Sequence, residues 1–590
     1  MKKSASKIVF LTVLLVASFS LKGQKVHRMD PPNWWVNHPL DTVEILLQGE
    51  GLLKWDVIVH NDAGKVLQTS HYGDHYSHVR LWIRPNYTKA AIPLKIGPYT
   101  FDFPLLKRND HKPQGLSDSD LIYLITPDRF HNGDTTNDDI PGMRERGTNR
   151  EAPYARHGGD LQGIQMGLDH IERLGATALW INPVLENDME RDSYHGYAIT
   201  DHYKIDPRYG GNEAMIKLAS ALHKRGMKHI MDIVYNHWGI EHYLHRQLPD
   251  SAMVHFNTDG TIPYSNFRFS ALADPHAMAQ DKQAFEHGWF AGAMPDLDQT
   301  HPLTASYLNY STLWYIEMFD VDALRCDTYA FSDPLFLRRM NQRLKRLYPN
   351  IFIFGETWSY NEASQAYFAP NKMYEGHFSL NDAVTDFTLW RAIHKMYNAE
   401  KHEQFGWNTG AGELYYRLVS DYLYEKPEDL IIFLDNHDDG RFLGQFSQDT
   451  TKLKSALTLL YAMRGIPVLY YGTELGLSGH QDHGAIREDM PGFEEEFPDF
   501  DKLGGDLLDL CQELGASRKH RGKTQVRQKV PKDGWYVLWI TSEQGTWRLV
   551  INASDEQRTY TNEFEQEENE FAPWEAQMME LELLQRESHY

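Results

Sequence analysis

The middle of the chain repeats one pattern, a short apolar run followed by a longer amphipathic stretch. From about residue 118 to 520, eight apolar runs follow one another: LIYLITP, ATALWINP, KHIMDIVYN, VDALRCD, IFIFGET, MYEGHFS, LIIFLDN and PVLYYGTE. Stretches such as EAMIKLASALHKRG lie between most of them. Apolar strands that alternate with helices are typical of a parallel sheet covered on both faces. Eight such units over roughly 400 residues predict an α/β fold, a (β/α)8 barrel with insertions.

The pattern changes on both sides of this region. Residues 24–115 carry short alternating runs such as VEILLQG, HVRLWI and YTFDFPL, which predict an N-terminal β-sandwich. We place the barrel at 116–520, with an inserted loop subdomain after the third strand at about 238–300, where the interval before the next helix is longest. Residues 521–590 contain GWYVLWIT and TWRLVINA and predict a small C-terminal β domain.

The N-terminus has the composition of a secretory signal. Lys2, Lys3 and Lys7 precede an apolar run over residues 8–19, and small or turn residues follow it. A run of about a dozen apolar residues is too short to cross a bilayer. We therefore predict a cleaved signal peptide over residues 1–23 and export of the protein.

The charge balance narrows the range of partners. Lys and Arg number 59 against 82 Asp and Glu, a net charge of −23. An acidic chain is poorly suited to bind nucleic acid or anionic membranes, so we predict neither as a partner. The two cysteines are Cys326 and Cys511. Because Cys326 lies inside a predicted buried strand, we expect no disulfide between them, even in an exported protein.

Polar and charged residues collect at the carboxyl ends of the predicted strands. They are Asp232, Asn236 and His237 after the third strand, Arg325 and Asp327 in the fourth, Glu356 after the fifth, and Asn436, His437 and Asp438 after the seventh. In a barrel, the carboxyl ends of the strands form the face that carries the chemistry. Asp327, Glu356 and Asp438 are therefore expected to converge on one mouth.

Two chemistries fit three carboxyl groups at one barrel mouth. A divalent metal would use them as hard oxygen ligands beside a Lys or His base. A retaining glycosidase would use one as an ionised nucleophile and one as a protonated acid, about 5–5.5 Å apart. Arg325 lies on the same strand face as Asp327, where its charge would repel a metal and keep the carboxylate ionised. This favours the second chemistry, although the pair alone is compatible with a structural ion pair.

The other two carboxyl groups fit distinct parts of the same reaction. Trp358 follows Glu356 by two residues, and an apolar neighbour raises the pKa of a carboxyl group, as a general acid requires. Asp438 would bind sugar hydroxyls and, through its negative charge, help to keep Glu356 protonated. Trp358 is also the best candidate for stacking on the sugar at subsite +1.

Four of these strand ends resemble the motifs of one known family. DIVYNH, LRCD, FGET and DNHD stand in the order and spacing of the α-amylase family of glycoside hydrolases, and the resemblance covers nearly the whole barrel. Each motif alone is weak, and their order on the predicted strands makes the resemblance specific. It implies that Asp327 is the nucleophile, Glu356 the acid/base and Asp438 the third carboxylate.

The resemblance also implies a set of residues around the sugar at subsite −1. They are His195, Tyr197, His237, Arg325 and His437. The stretch YHGYAITDHY resembles the family's loop in which Tyr197 stacks on this sugar and His195 bonds to it. Asp232 and Asn236, by contrast, are expected to brace loops within the barrel.

Further motifs resemble one subfamily, the neopullulanases and cyclomaltodextrinases. MPDLD at 294–298 is similar to their MPxLN, although Asp298 stands where they have Asn, and DDGR at 438–441 differs from the common DTPR. GWFAGAMPDLDQTHP is most similar to exported starch-utilisation enzymes of that group. The resemblance implies a periplasmic, retaining hydrolase of α-1,4 bonds in cyclomaltodextrins, pullulan and maltooligosaccharides.

One loop after the first barrel strand is dense in oxygen ligands. It contains Asn132, Asp134, Asn137 and Asp138, and a GGD turn with Gly158 and Asp160 follows. Such a cluster can be an Asx-rich turn that caps itself. Oxygen ligands at short spacing also suit Ca²⁺, and in the resembled subfamily the matching segment binds calcium. We favour a structural calcium site.

Several alternatives stay open at this point. An endo-α-amylase or an α-glucanotransferase would carry the same carboxylates, because transfer and hydrolysis differ in how well an acceptor sugar competes with water. A catalytically inactive glucan-binding protein is a third alternative, disfavoured because all three carboxylates are present. The choice between cyclic and linear glucans depends on the inserted loop, or on a homodimer partner that covers the cleft.

Overall fold

A computed structural model describes residues 26–373, 379–399, 409–493, 497–503, 505–561 and 568–581. The predicted signal peptide over residues 1–23 lies outside these residues. Among the described helices, none has the length and apolar composition that a membrane crossing requires.

The N-terminal part forms two four-stranded sheets. Its strands are β1 (Val26–Asp30), β2 (Trp34–Val36), β3 (Thr42–Gly49), β4 (Val57–Val59), β5 (Gly64–Tyr72), β6 (Tyr76–Ile83), β7 (Ala91–Ile96) and β8 (Tyr99–Lys107). One sheet has the order β1-β3-β6-β5 and the other β2-β8-β7-β4. In β3, Val43, Ile45 and Leu47 are all buried, because alternate side chains along a strand share a face. The alternating runs thus form the predicted β-sandwich.

The described residues of the central region form ten strands. They are β9 (Ile122–Ile125), β10 (Ala178–Ile181), β11 (Leu185–Glu186), β12 (Asp201–Ile205), β13 (Lys228–Val234), β14 (Ala323–Asp327), β15 (Phe352–Gly355), β16 (Ala383–Val384), β17 (Ile431–Phe433) and β18 (Ile466–Tyr470). Eight form one parallel sheet in the order β16-β15-β14-β13-β10-β9-β18-β17. A parallel bridge between Thr385 and Ile431 joins its two edges. The sheet is therefore closed, and the predicted (β/α)8 barrel is confirmed.

The sixth barrel strand is shorter and later than the sequence pattern indicates. The stretch MYEGHFS at 373–379 was the candidate for it, and residues 374–378 lie outside the described part of the chain. The strand that pairs with β15 is β16, a two-residue element whose register places Ala383 beside Phe354. The other seven apolar runs each contain the barrel strand expected of them.

Helices surround this barrel and continue into the C-terminal part. They are α1 (Leu161–Met166), α2 (Leu168–Arg173), α3 (Gly211–Lys224), α4 (Tyr243–Arg246), α5 (Ala279–Glu286), α6 (Pro302–Phe319), α7 (Pro334–Leu347), α8 (Glu362–Ala366), α9 (Phe387–Asn398), α10 (Ala411–Val419), α11 (Phe442–Gln445), α12 (Thr450–Ala462), α13 (His483–Ile486), α14 (Phe500–Leu503) and α15 (Gly505–Arg521). α7 is representative: the Asp333 side chain accepts from Phe336 N, an N-cap. Leu337, Met340 and Leu344 then bury one face.

Two further segments complete the fold. Between β13 and α6, the inserted segment carries only short helices, and the ring of Phe285 stacks on Phe331 beyond β14 with centroids 4.1 Å apart. This contact holds the insertion against the carboxyl end of the barrel. The C-terminal strands are β19 (Gln525–Gln528), β20 (Trp535–Thr541), β21 (Thr546–Asn552), β22 (Arg558–Thr561), β23 (Glu568–Phe571) and β24 (Ala576–Glu580). Four of them form a sheet in the order β19-β20-β21-β24.

Candidate active site

Arg325 is the centre of the polar cluster at the barrel mouth. Its Nη1 lies 2.6 Å from Asp327 Oδ1 and 2.9 Å from Asp232 Oδ1, and its Nη2 lies 2.9 Å from Glu356 Oε1. The parallel register pairs Asp232 with Arg325 and Val234 with Asp327, so the two strands point these side chains into the same space. Burial opposes the charge of Arg325, but Asp232 and Glu356 outweigh it and raise the pKa of the guanidinium well above its ordinary value.

Thr328 links the two carboxyl groups that Arg325 contacts. Its backbone N–H donates to Glu356 Oε2 at 2.9 Å, and its Oγ1 donates to Asp327 Oδ2 at 3.0 Å. Thr328 adopts φ 42° and ψ 42°, a left-handed conformation that is costly for a β-branched residue. The strained turn thus places one residue against both Asp327 and Glu356.

Glu356 and Asp438 have surroundings that shift their pKa values in opposite directions. Burial, aided by the charges of Asp327 and Asp438, raises the pKa of Glu356 to about 8 despite Arg325. Although Asp438 is partly buried, His437 and Arg487 hold its pKa well below its usual range. At neutral pH Glu356 is therefore protonated and Asp438 ionised, a pairing of the kind that assigns acid and base roles.

Arg487 is a site residue that the sequence motifs did not indicate. Its Nη2 lies 2.7 Å from Asp438 Oδ1, and its Nε donates to the His437 carbonyl at 2.8 Å. His437 Nε2 lies 3.1 Å from Asp438 Oδ2. Arg487 follows the one-turn helix α13, far along the chain from β17, and a lone arginine after a short helix carries no local signal. Its nearly complete burial becomes visible only in the folded chain.

Three aromatic and imidazole rings stack beside this group. The Tyr197 ring stacks on the His437 ring with centroids 5.5 Å apart and planes 8° apart. The His195 ring also stacks on Tyr197, with centroids 5.9 Å apart. Tyr197 Oη donates to Asp232 Oδ2 at 3.1 Å and accepts from Asn182 Nδ2 at 3.0 Å. Burial lowers the pKa of His195 to about 3, so that imidazole is neutral.

Asp232 contacts both the loop between β11 and β12, which carries Tyr197, and the charged centre of the mouth. Its carboxylate binds Arg325 and Tyr197 and accepts from Trp180 Nε1 at 2.9 Å. Burial raises the pKa of Asp232 to about 6. Asp232 therefore braces the loop that carries Tyr197, in agreement with the role expected of it, and it also binds the Arg325 guanidinium, a contact that the sequence did not indicate.

His237 and Trp358 differ in exposure: His237 is buried, whereas Trp358 is exposed. The His237 ring stacks on Phe290 of the inserted segment with centroids 5.9 Å apart. Its Nε2 is buried and has no hydrogen-bond partner among the described residues, so it is free to meet a ligand. The Trp358 ring is 40% exposed and lies on Phe387 with centroids 4.9 Å apart. It presents one flat apolar face to solvent, as a sugar platform would.

The predicted calcium ligands come together in a second place, after β9. Asp160 accepts from Gly163 N at 2.7 Å, Asp134 N at 2.9 Å and Asn137 Nδ2 at 2.9 Å. Asn132 Nδ2 donates to Asp138 Oδ1 at 2.8 Å. The Asp134 carboxylate instead accepts from Thr136 N at 3.1 Å, so it caps its own turn.

Two observations show that this loop fits a cation. The Oδ1 atoms of Asn132 and Asn137 are buried and have no hydrogen-bond partner among the described residues, and buried oxygens normally have one. A Cβ at Gly158, where φ is +100°, would lie 2.7 Å from Asp138 Oδ1 and 2.8 Å from Asn132 Nδ2. Ca²⁺ prefers oxygen ligands of this kind, from side-chain amides and carboxylates.

The barrel and its charged mouth thus define a glycoside hydrolase. The family description "Alpha amylase, catalytic domain" matches residues 124–507, and the chain belongs to this alpha-amylase family. A cyclomaltodextrinase of Bacillus sp is 28% identical over 411 residues, 69% of this chain and 68% of that protein. Neopullulanase 2 of Thermoactinomyces vulgaris is 28% identical over 61% of this chain and 57% of its own length.

A solved structure shows the same likeness. The alpha-amylase of Anoxybacillus has a TM-score of 0.66 and 27% identity, and the match covers 79% of this chain and 98% of that one. The recognition of the family from four short motifs is confirmed by these comparisons.

Proposed function

We propose that this protein is a retaining hydrolase of α-1,4-glucosidic bonds in cyclomaltodextrins, pullulan and maltooligosaccharides. One observation carries the reaction: Arg325 and Thr328 both contact Asp327 and Glu356. Burial and the charges of Asp327 and Asp438 raise the pKa of Glu356 to about 8, which supports its role as the acid. A double displacement needs two neighbouring carboxyl groups, one ionised to act as the nucleophile and one protonated to act as the acid.

In this mechanism the Asp327 carboxylate attacks the anomeric carbon. Glu356 donates its proton to the leaving glycosidic oxygen as that bond breaks, and a β-glycosyl ester forms on Asp327. Glu356, now ionised, takes a proton from water, and the hydroxide oxygen displaces Asp327. Two inversions leave the product with the α configuration of the substrate.

The remaining residues of the mouth hold the sugar in this proposal. His195, Tyr197, His237, Arg325 and His437 surround the sugar at subsite −1, and Trp358 stacks on the sugar at +1. Asp438 stays ionised and accepts hydrogen bonds from sugar hydroxyls. Charge-assisted hydrogen bonds of this type are about twice as strong as neutral ones, so they can help to distort the ring.

The named relatives support the substrate class. One is a cyclomaltodextrinase and another a neopullulanase, in agreement with the MPDLD stretch. The structural match to an alpha-amylase over 98% of that chain favours a second candidate, an endo-acting enzyme on linear starch. A glucanotransferase would use the same mouth with a sugar acceptor in place of water.

Product analysis distinguishes these candidates. We expect γ-cyclodextrin to be opened rapidly and pullulan to release panose, with soluble starch slower, in matched samples that use the Asp327→Asn protein as the blank. Starch much faster than either would identify an endo-α-amylase. Larger oligosaccharides formed from maltooligosaccharides would identify a transferase. No release from any of the three would favour an inactive glucan-binding protein.

We also propose that Asn132, Asn137, Asp138, Gly158 and Asp160 hold a structural Ca²⁺, with Asp134 ordering the turn beside it. Chelation is expected to lower the Tm of the protein by several degrees, because an ion bound only to the folded state stabilises it, and added Ca²⁺ should restore it. The comparison is the Asp138→Asn variant, whose Tm should respond far less to chelation. An equal response in both proteins would contradict the calcium assignment.

We propose the cellular location from the N-terminal sequence and from the motif similarity to exported enzymes. Residues 1–23 would direct export and be removed, and the similarity to exported starch-utilisation enzymes favours the periplasm. The proposed partners are linear or cyclic α-glucan oligosaccharides, with neither nucleic acid nor membrane among them, and a homodimer partner over the cleft remains a prediction.

A further inference from the structure

Two histidines and one aspartate meet at the end of the barrel away from the catalytic mouth. His111 Nε2 lies 3.3 Å from Asp322 Oδ1, and His223 Nε2 lies 2.9 Å from Asp322 Oδ2. The two imidazole rings stack with centroids 4.5 Å apart. In the described part of the chain, these are the three side chains whose possible metal-ligating atoms all fall within 4.8 Å of one another.

The three residues come from three separate parts of the fold. His111 belongs to the connection between β8 of the sandwich and β9 of the barrel, His223 to the last turn of α3, and Asp322 to the residue before β14. Asp322 precedes Asp327 by five positions, which at about 3.3 Å per residue places the cluster roughly 16 Å from the nucleophile. It is therefore separate from the catalytic site.

Backbone groups hold the carboxylate in place. Asp322 is fully buried, and it accepts from Gln114 N at 2.9 Å and from His229 N at 2.9 Å, one on each oxygen. The two histidines approach the same oxygens from the solvent side, with side chains 15% and 19% exposed. The anion is thus preorganised, and the imidazoles retain a path to solvent.

The hydrogen bonding of the cluster is incomplete. His111 Nε2 is buried, and although it lies near Asp322, it has no partner with hydrogen-bond geometry among the described residues. The Asp322 carboxylate, 3.3 Å away, favours a cation beside this nitrogen, and the lone pair of a neutral imidazole can bind a metal ion.

We propose that His111, His223 and Asp322 bind a divalent transition metal ion, with Zn²⁺ the best fit. Two imidazole nitrogens and one carboxylate oxygen are ligands that Zn²⁺ takes in proteins, with water in the remaining position. Ca²⁺ and Mg²⁺ prefer oxygen alone. The ion would crosslink the connection between β8 and β9 to α3 and to the residue before β14. It would thereby hold the β-sandwich against the end of the barrel away from the catalytic mouth.

Titration with Co²⁺, a spectroscopic substitute for Zn²⁺, tests this site. The full chain is freed of metal and then kept in excess Ca²⁺, which fills the oxygen-rich loop. We expect one equivalent of Co²⁺ to bind with visible absorption stronger than that of aqueous Co²⁺, and Zn²⁺ to displace it. His111→Gln and His223→Gln should each weaken this binding by at least about tenfold, whereas the exposed-histidine control His60→Gln should not change it.

Two results would overturn the proposal. One is the absence of a stoichiometric, Zn²⁺-displaceable spectrum in the wild-type protein, a result that does not depend on how any variant folds. The other is unchanged Co²⁺ binding in both His111→Gln and His223→Gln. A rise of Tm with Zn²⁺ in wild type and in His60→Gln, but not in His111→Gln or His223→Gln, would support the crosslinking role independently of catalytic activity.

Discussion

Asp327→Asn is expected to lower kcat on α-1,4-glucans by about 10⁴-fold or more, the range seen when a catalytic nucleophile is removed. An amide is a poor nucleophile, so the glycosyl ester cannot form. The fold should survive, because Arg325 keeps its contacts with Asp232 and Glu356 at 2.9 Å. Initial rates on maltooligosaccharides, with far-UV circular dichroism and Tm on the same samples, measure the effect.

The matched control for this change is Asp259→Asn in the inserted segment. Asp259 is exposed and bonds only within its own turn, to Thr261, so its rate should equal that of wild type. Near wild-type turnover in a folded Asp327→Asn protein would remove this residue from the mechanism. It would also leave the short contact with Arg325 as a structural ion pair.

Glu356→Gln is expected to reduce turnover of natural glucans by about 10²–10⁴-fold, the usual contribution of a general acid. The amide cannot protonate the leaving oxygen. α-Glucosyl fluoride needs no such proton, so its first step should be affected much less. Because the same residue activates water in the second step, the glycosyl ester should then accumulate on Asp327, where mass spectrometry of a peptide digest would detect it.

The pH dependence of kcat/KM supplies a second readout for Glu356. The pKa of this group is raised to about 8 by burial and by Asp327 and Asp438, and the acid must be protonated to act. Wild-type kcat/KM on glucans should therefore be full below this value and fall as the pH rises through about 8. Glu356→Gln should lack that alkaline fall. An unchanged alkaline limb in the variant would assign the proton to another group.

Much of the fold could be predicted because its signals are local. The apolar runs of the barrel strands are short and each is bounded by turn residues, so seven of the eight could be located from the sequence. The exception, β16, has two residues, too few for a period to be visible. The sandwich strands were visible for the same reason, since one buried face imposes alternation on each of them.

In the active site, too, the residues with a local sequence signal could be predicted, whereas contacts between distant segments could not. Asp327, Glu356 and Asp438 could be named because each follows an apolar strand, and the carboxyl ends of barrel strands share one face. The contact of Asp232 with Arg325 could not be predicted, because it depends on the register between β13 and β14. A sequence carries no direct record of register between strands that lie far apart along the chain.

By itself, the sequence determined the closed barrel, its flanking β domains and the three carboxyl groups at its mouth, because period and strand ends are properties of neighbouring residues. Only the tertiary structure decided that Arg487 reaches Asp438 at 2.7 Å, and that His111 and His223 meet at Asp322. These contacts join segments that are distant in sequence. Burial then supplies the low-dielectric surroundings that shift the pKa of Glu356, and no local pattern encodes that environment.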